Sequence, residues 1–163
     1  MKKLLYVIAA ALCLVACEKN QDSGSSTKGD YVDLGLASGT KWKTQNEQNT
    51  YDYYNLFDYE TAISEFGSNL PTKEQWEELR TYCHWEWTGS GYKVTGPNGK
   101  SIVLPAAGLR DCVGSVIGVG SAGYYWSSTP DGSEYAWELG FGAGGVGMVN
   151  HYRCYGQSVR LVR

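Results

Sequence analysis

The segment from Tyr135 to Val149 constrains the fold more than any other part of this sequence. Large apolar residues alternate with small or polar ones in the order Tyr-Ala-Trp-Glu-Leu-Gly-Phe-Gly, and after Ala143-Gly144 the order is Gly-Val-Gly-Met-Val. A period of two is the repeat of a β-strand, and a small-residue pair between two such runs indicates a turn. We therefore predict a β-ribbon with one apolar, aromatic face and one face nearly bare of side chains.

The glycines of this ribbon need a separate explanation. Glycine inside a strand costs roughly 0.5–1 kcal/mol relative to alanine, because it loses more conformational freedom on folding. Their number therefore indicates that something other than folding stability placed them there.

The composition extends the β-rich prediction to most of the chain. Thirteen tyrosines, six tryptophans and twenty-one glycines, with only four prolines, favour short strands joined by glycine turns. The runs Tyr92–Thr95 and Ser101–Leu104 flank the turn cluster Gly96-Pro97-Asn98-Gly99, so we expect a hairpin there. A further aromatic strand is predicted at Tyr124–Ser128.

Two helices are predicted before residue 85. Thr72 and Gln75 form a capping-box pattern at the start of one, whose predicted apolar face comprises Trp76, Leu79, Tyr82 and Cys83. The other is predicted at Tyr59–Phe66 with Asp58 as its cap, and its predicted buried stripe comprises Ala62, Ile63 and Phe66.

The N-terminus has the pattern of a signal peptide over residues 1–16. Lys2 and Lys3 precede an apolar run from Leu4 to Leu14, which is too short to span a bilayer. The tetrapeptide Leu14-Val15-Ala16-Cys17 resembles the lipobox of bacterial lipoproteins, in which the cysteine carries the lipid, palmitate among its acyl chains. We therefore expect lipidation at Cys17, the alternative being a plain secretory signal with a chance cysteine.

Residues 17–29 are predicted to be a flexible tether, because EKNQDSGSSTKG contains no apolar residue to bury. Residues 30–163 then form a single domain by length. We expect the mature protein in the outer membrane, lipid-anchored and displayed at the cell surface, and monomeric. The net charge of −3 argues against a nucleic-acid partner.

Three cysteines of the mature domain, Cys83, Cys112 and Cys154, cannot all pair within one chain. Unpaired, partly buried thiols are the favoured interpretation. A Cys112–Cys154 disulfide is the next alternative, and a metal or catalytic role is the least favoured.

Candidate catalytic groups are few. His84 follows Cys83 near the predicted helix end, where a histidine is favourable without any catalytic role. Ser127-Ser128-Thr129 lacks the Gly-x-Ser-x-Gly context of a nucleophile elbow. We therefore expect no enzymatic activity, no metal and no cofactor.

Several segments together resemble the family known as the Fibrobacter succinogenes major paralogous domain, which is common among lipoproteins of gut Bacteroides. The matching segments are Tyr31–Leu36 with Lys41-Trp42, Leu70–Leu79, Gly91–Thr95, Leu104–Gly108, Gly123–Thr129 and Gly156–Val162. Residues 43–69 depart from the family, which usually has a longer segment there. The resemblance implies an α+β, C-type-lectin-like fold: two helices with small antiparallel sheets, and paired N- and C-terminal strands.

The resemblance also implies a variable C-terminal binding face, because similar proteins are frequent targets of diversity-generating retroelements. Mutation of adenines turns AAC codons into codons for Gly, Ser, Tyr, His, Cys, Asp, Val and others, but never for Trp, Met, Glu, Gln or Lys. The predicted ligand-binding positions, all reachable from such a codon, are Gly140, Gly142, Gly145, Gly147, Val149, Asn150, His151, Tyr152, Cys154 and Tyr155. The predicted fixed scaffold comprises Trp137, Leu139, Phe141, Val146, Met148 and Arg153, with Glu138 and Gln157 as framework or flank.

The leading hypothesis is a surface-displayed, ligand-binding lipoprotein with a variable C-terminal face that binds an extracellular protein or glycan. Its main contacts would be Tyr152, Tyr155 and His151, because tyrosine offers a large contact area and a polar tip. The alternatives are a structural or adhesive envelope protein with a fixed partner, and an oxidase or hydrolase related to formylglycine-generating enzymes.

Overall fold

A computed structural model describes residues 30–163. The predicted signal peptide, lipidated Cys17 and tether lie outside the described residues. In chain order the elements are β1 (Tyr31–Asp33), β2 (Lys41–Lys43), α1 (Tyr59–Phe66), a 3-10 turn (Gly67–Asn69), α2 (Lys73–Tyr82), β3 (His84–Trp87), β4 (Gly91–Thr95), β5 (Ser101–Pro105), β6 (Leu109–Arg110), β7 (Val116–Ile117), β8 (Ala122–Asp131), β9 (Tyr135–Gly142) and β10 (Gly145–Tyr152).

The fold is mostly β, and the predicted α+β, C-type-lectin-like architecture with two helices is wrong. Within residues 30–163, ten strands form four small antiparallel sheets, β1-β2, β3-β4-β5, β6-β7 and β10-β9-β8, in an arrangement closer to a β-sandwich. The two α-helices have only 8 and 10 residues. The end of the chain is not a regular strand within residues 30–163, but it pairs with the N-terminal strand β2 through an antiparallel bridge of Trp42 with Val162 and through backbone hydrogen bonds between Lys41 and Arg163.

The local predictions for the helix starts are confirmed. The Asp58 side chain accepts a hydrogen bond from the Thr61 N–H at 2.8 Å and caps α1. Thr72 and Gln75 form the reciprocal capping box of α2. Each contact spans only three residues, so the sequence determines it locally.

The two predicted hairpins are also confirmed. β4 pairs with β5 across Gly96–Lys100. β9 pairs with β10 across Ala143-Gly144, with Gly142 opposite Gly145.

The main core lies where α2 packs against the sheets. Trp76 is fully buried, 4.6 Å from the Trp42 ring and 5.9 Å from the Tyr125 ring, and its Nε1 donates to the Trp126 carbonyl at 3.2 Å. Leu79 is buried on the same face of α2. Tyr82, predicted on that face, is 65% exposed, because it lies in the last turn of the helix.

A second core cluster joins α1 to the C-terminal segment. Ala62, Leu70, Trp126 and Val159 are buried there, with Ile63 and Phe66 of the predicted stripe packed against them. This cluster supports the far end of the long strand β8.

Cys112 and Cys154 form a disulfide, with Cα atoms 5.2 Å apart. The favoured prediction of unpaired thiols is therefore wrong for these two residues, and the disulfide alternative is confirmed. Cys83 is unpaired and partly buried, as favoured. Burial raises the pKa of its thiol to about 11, which makes it a weak nucleophile at neutral pH.

Candidate functional site

The β8-β9-β10 sheet has two faces of different character. On one face Tyr125, Leu139 and Met148 lie side by side in register and join the main core. Phe141 and Val146 extend the same row. This face is the apolar, aromatic face that the period-two pattern predicts.

The opposite face holds an open groove of about 650 Å³. In register across the sheet, Tyr124 lies beside Gly140 and Gly140 beside Gly147, so two of the three neighbouring positions have no side chain. Together they form what we call the glycine groove, lined by Ala122, Tyr124, Gly140, Phe141, Gly142, Gly147, Val149, Asn150 and His151.

The three glycines of the groove floor differ in the room around them. A Cβ on Gly147 would meet nothing within 4 Å. A Cβ on Gly140 would lie 3.1 Å from the Val149 Cγ2, and one on Gly142 would lie 3.3 Å from the Ser121 carbonyl oxygen. Gly147 is therefore the floor position at which a larger side chain enters free space.

A buried polar pair lies at one end of the groove, where the sequence pattern predicted a nearly bare face. Glu138 is fully buried, and its Oε1 lies 2.8 Å from the His151 Nδ1. The Gln157 amide also donates to the Glu138 carboxylate. Ala136, next on the same face, is fully buried too. The prediction of a bare face therefore holds for the glycine half of β9 and is wrong for the Ala136–Glu138 half.

The electrostatics of this pair favour a protonated histidine. The hydrogen bond to Glu138 raises the pKa of His151, while partial burial acts in the opposite direction. Burial raises the pKa of Glu138, and the hydrogen bond from His151 lowers it in part. Burial and the nearby Glu138 both raise the pKa of Tyr124, so its hydroxyl stays protonated and can donate a hydrogen bond.

Aromatic rings surround His151 at this end of the groove. The Tyr124 ring lies 5.9 Å from the imidazole, edge-on, and the Tyr155 ring lies 5.1 Å from it. Tyr155 also stacks against Tyr152 at 6.4 Å, and Tyr152 lies 4.4 Å from Tyr135. The Cys112–Cys154 disulfide is adjacent to Tyr155, so it anchors the turn that carries this ring.

The structure brings most of the predicted binding positions together and leaves others outside the glycine groove. Gly140, Gly142, Gly147, Val149 and His151 line the glycine groove, and Tyr155 contacts His151. Gly145 is exposed beside the turn with φ of 146°, a conformation that favours glycine.

Tyr152 and Cys154 do not line the groove, whereas Asn150 borders it. Asn150 and Tyr152 lie in register with Trp137 and Tyr135, on the opposite face of the ribbon. The Asn150 side chain donates to Asp131, although the residue also borders the groove. Because Cys154 is in the disulfide, a leftover cysteine no longer supports sequence diversification.

The predicted scaffold position Arg153 has a structural role. Its guanidinium donates to the Glu60 carboxylate at 3.1 Å and to the Gly132 carbonyl at 2.8 Å, and it lies over the Tyr59 ring. These contacts tie the end of β10 to α1 and to the β8–β9 turn.

Two residues of this site, Tyr124 in the groove and Glu138 at its end, are not predicted from the sequence as site residues. Tyr124 was predicted only as part of a strand, and Glu138 was assigned to the framework. A signal was present for Glu138, since it is the one charged residue in the ribbon from Tyr135 to Val149 and shares a strand face with Gly140. Tyr124 gave no such signal, because its pairing with Gly140 depends on the register of β8.

A second cavity, of about 360 Å³, lies along Lys43–Gln48 beside Asp30. Three of its polar side chains have protein partners. Lys43 pairs with Glu47, and Asn46 bonds both the Tyr125 hydroxyl and the Arg160 guanidinium. This cavity is therefore a hydrogen-bonded support for the core.

The candidate catalytic groups of the sequence have the following surroundings in the part of the chain that the structure describes. No group of three His, Cys, Asp or Glu side chains is placed to hold a metal ion within residues 30–163. His84 is exposed at the start of β3, one residue after the cap of α2. The Ser127 hydroxyl donates to the Trp137 carbonyl and ties β8 to β9.

Comparison with known protein families gives a match over the second half of the chain. Residues 84–162 match a family described as a domain of unknown function, DUF8237. The matched range runs from β3 to the C-terminal segment and contains every residue of the glycine groove. No curated protein and no solved structure matches the chain. The fold and the site together define a mostly β domain with an open groove on one sheet face, and the resemblance to the lipoprotein family stays a prediction.

Proposed function

We propose that this chain is a surface-displayed, lipid-anchored binding protein, and that the glycine groove is its ligand-binding site. The observation that carries the proposal is the groove itself, with a floor of Gly140 and Gly147 and a wall of Tyr124 and His151. A concave surface that combines aromatic rings with a few placed polar groups is the usual form of a binding site.

The surroundings of the groove make it a rigid platform. Its floor strand β9 is paired on both sides, and the opposite face of that strand is packed in the main core. The Cys112–Cys154 bond anchors the turn that carries Tyr155. A rigid site loses little conformational entropy when a ligand binds, so more of the contact energy contributes to affinity.

The polar groups of the groove suit a ligand that carries hydrogen-bond acceptors. His151 uses Nδ1 toward Glu138, which leaves its Nε2 for a ligand. The Tyr124 hydroxyl is a second donor. Extracellular proteins and glycans both present carbonyl or hydroxyl oxygens, so both are candidate ligands.

The anchor proposal depends on Cys17 and the tether, which lie outside the described residues. Among residues 30–163 no helix is long and apolar enough to cross a membrane. Two or more acyl chains on Cys17 would hold the domain stably, since each buried methylene contributes roughly 0.8 kcal/mol.

Diversification by a retroelement is the further part of the proposal. Its support is now the open space at Gly147 and the exposure of Val149, which leave both positions free to change without loss of packing. Sequencing of the native locus tests it. We expect a neighbouring reverse-transcriptase gene and an imperfect repeat of the codons for residues 136–163, and their absence would leave a binding domain with a fixed surface.

A matched pair of variants tests the groove. Gly147→Tyr fills the floor, whereas Gly144→Tyr adds the same side chain at the nearby turn, outside the groove; a Cβ at either position meets nothing within 4 Å. The probes are an array of purified polysaccharides and a displayed library of dodecapeptides. We expect wild type and Gly144→Tyr to bind the same probes and Gly147→Tyr to lose them. Equal binding by all three proteins would refute the groove as the site.

The anchor has its own test. Cys17→Ala should release the protein from membranes, because the lipid is its proposed anchor. Detergent-free fractionation of cells measures this, and recovery of the variant in the membrane pellet would contradict it. Labelling of intact cells with an antibody against the domain then tests surface display.

A further inference from the structure

The outer edge of β10 has no strand beside it in the part of the chain that the structure describes. The sheet order is β10-β9-β8, so β10 is an edge strand. The other edge of this sheet is covered, since β8 makes parallel bridges through Gly123 to Gly108 and through Tyr125 to Ser158. One side of β10 therefore carries backbone donors and acceptors that no strand of residues 30–163 pairs with.

The hairpin geometry identifies which groups these are. Gly142 and Gly145 flank a two-residue turn, and such a pair exchanges both backbone hydrogen bonds. Along an antiparallel strand the direction of these groups alternates. The N–H and C=O groups of Val146, Met148 and Asn150 therefore point away from β9, along the free edge. The edge ends at Tyr152, whose carbonyl accepts from the Tyr155 N–H at 3.0 Å.

This edge lacks the features that protect edge strands from pairing. Charged side chains, prolines and bulges are the usual protection. β10 has the sequence Gly-Val-Gly-Met-Val-Asn-His-Tyr, without lysine, carboxylate or proline, and its register with β9 is regular. By comparison, the edge strand β3 carries the exposed carboxylate of Glu86.

We infer that the free edge of β10 binds an extended polypeptide segment as an added strand, whose large side chains fill the glycine groove. The inference rests on the proposed binding function of the groove and names its ligand class. A row of alternating N–H and C=O groups is complementary to another extended backbone, and strand addition is a recurrent mode of peptide recognition. A glycan has no donor and acceptor pair that repeats with the spacing of a strand.

The groove explains why alternating large side chains are expected in the added strand. The side chains of an added strand that point to the groove side would lie next to Gly145 and Gly147. Because these two residues have no side chains, the added side chains could extend toward Gly140 and Tyr124. A second copy of this chain would fill the groove poorly, because its own β10 would present the same two glycines. A foreign segment with aromatic or aliphatic residues at every second position is therefore the fitting occupant.

The test uses the full chain in mild detergent and synthetic dodecapeptides selected from the displayed library. Asn150→Pro removes one outward N–H and places a ring on the free edge, while the hydrogen bonds to β9 stay intact. Asn150→Ala is the matched control, since it loses the side-chain contact with Asp131 but keeps the N–H. We expect Asn150→Pro to weaken peptide binding by about tenfold or more and Asn150→Ala to change it by less than about threefold.

Amide hydrogen exchange of the wild type gives a second measurement that does not depend on the folding of a variant. Bound peptide should slow exchange at Val146, Met148 and Asn150, whereas the amides of Gly147 and Val149 are already bonded to β9 and should change little.

The outcomes separate this inference from the proposed function. If Asn150→Pro and wild type bind the peptides with equal affinity, and bound peptide leaves amide exchange at Met148 unchanged, strand addition is overturned. Loss of peptide binding in Gly147→Tyr would still support the groove as the site. Binding of polysaccharides alone would overturn the peptide ligand and keep the proposed function. If wild type forms a dimer and Asn150→Pro does not, the occupant of the β10 edge is a second copy of this chain, and the inference of a foreign segment is overturned. Failure of every probe to bind would contradict both proposals.

Discussion

His151 Nδ1 lies 2.8 Å from the Oε1 of Glu138, so a half-exposed imidazole at the rim of the glycine groove is bonded to a fully buried carboxylate. The two residues face each other from neighbouring strands, with Tyr124 and Tyr155 beside the imidazole and Gln157 on the carboxylate. This pair links the stability of the sheet to the protonation of His151 at the glycine groove.

The first prediction concerns pH. The folded pKa of His151 is raised above its ordinary value of 6.5, so its stabilising contribution is complete below that value and is lost as pH rises through the folded pKa. The folded pKa of Glu138 is also raised, from its ordinary value of 4.5. Stability therefore also decreases as pH rises above 4.5 and this carboxyl group ionises. We expect the melting temperature to fall as pH rises above about 6.5, through the raised pKa of His151.

His151→Gln is the control for this prediction, because glutamine can still donate to Glu138 but does not titrate. Thermal denaturation across the same pH range should show a flatter profile for the variant. Parallel profiles for the two proteins would mean that another group controls the pH dependence.

The second prediction concerns the core. Trp76→Ala should lower the free energy of unfolding by roughly 3–5 kcal/mol, because a fully buried aromatic and its hydrogen bond to the Trp126 carbonyl are lost. Tyr82→Ala, on the same helix but mostly exposed, should change it by less than about 1 kcal/mol. Urea denaturation measures both, and equal effects would show that α2 is peripheral to the core.

The third prediction ranks three glycines of the sheet by how strongly a substitution at each destabilises the domain. Gly147→Ser should leave the melting temperature unchanged or slightly higher, since its side chain enters free space and strand propensity rises. Gly123→Ala should unfold the domain, because its Cβ would collide with the Phe141 ring. Gly140→Ser should fall between them, because Val149 must move by a few tenths of an ångström.

Leu139→Ser sets the scale for a core position in this series, since it places a hydroxyl in the packed face of β9. Circular dichroism melts rank the four variants. If Gly147→Ser is as unstable as Leu139→Ser, the groove glycines are needed for backbone packing. That result would contradict the proposal that the groove surface is free to vary in sequence.

The fourth prediction concerns the disulfide. Cys112 and Cys154 are 42 residues apart, and closing a loop of that length stabilises the folded state by about 4 kcal/mol in the chain-entropy model. Adding reductant should therefore lower the melting temperature of wild type but not of a Cys112→Ser, Cys154→Ser double variant. An unchanged wild-type melt in reductant would indicate that the bond contributes little to stability.

The predictions that depend on near neighbours in the chain are confirmed. Asp58 and Thr72 cap helices through atoms three residues away, and the β9–β10 turn is determined by Ala143-Gly144 and the period-two pattern on either side. Such contacts compete only with other local conformations, so the residue types decide them. The groove glycines and His151 could be nominated for the same reason, because strand alternation assigns each to a face.

Tertiary structure alone decided the rest. The pairing of Cys112 with Cys154, the burial of Glu138 beside Gln157 and the place of Tyr124 next to Gly140 all depend on which distant segments meet. The architecture was decided in the same way, because four small sheets and two short helices can be stacked in several ways with the same local pattern. The sequence by itself determined the two helices, the two hairpins and the aromatic strand β8. The long-range packing of their buried faces, a sum of many weak contacts with no local signature, determined the fold and assembled the groove.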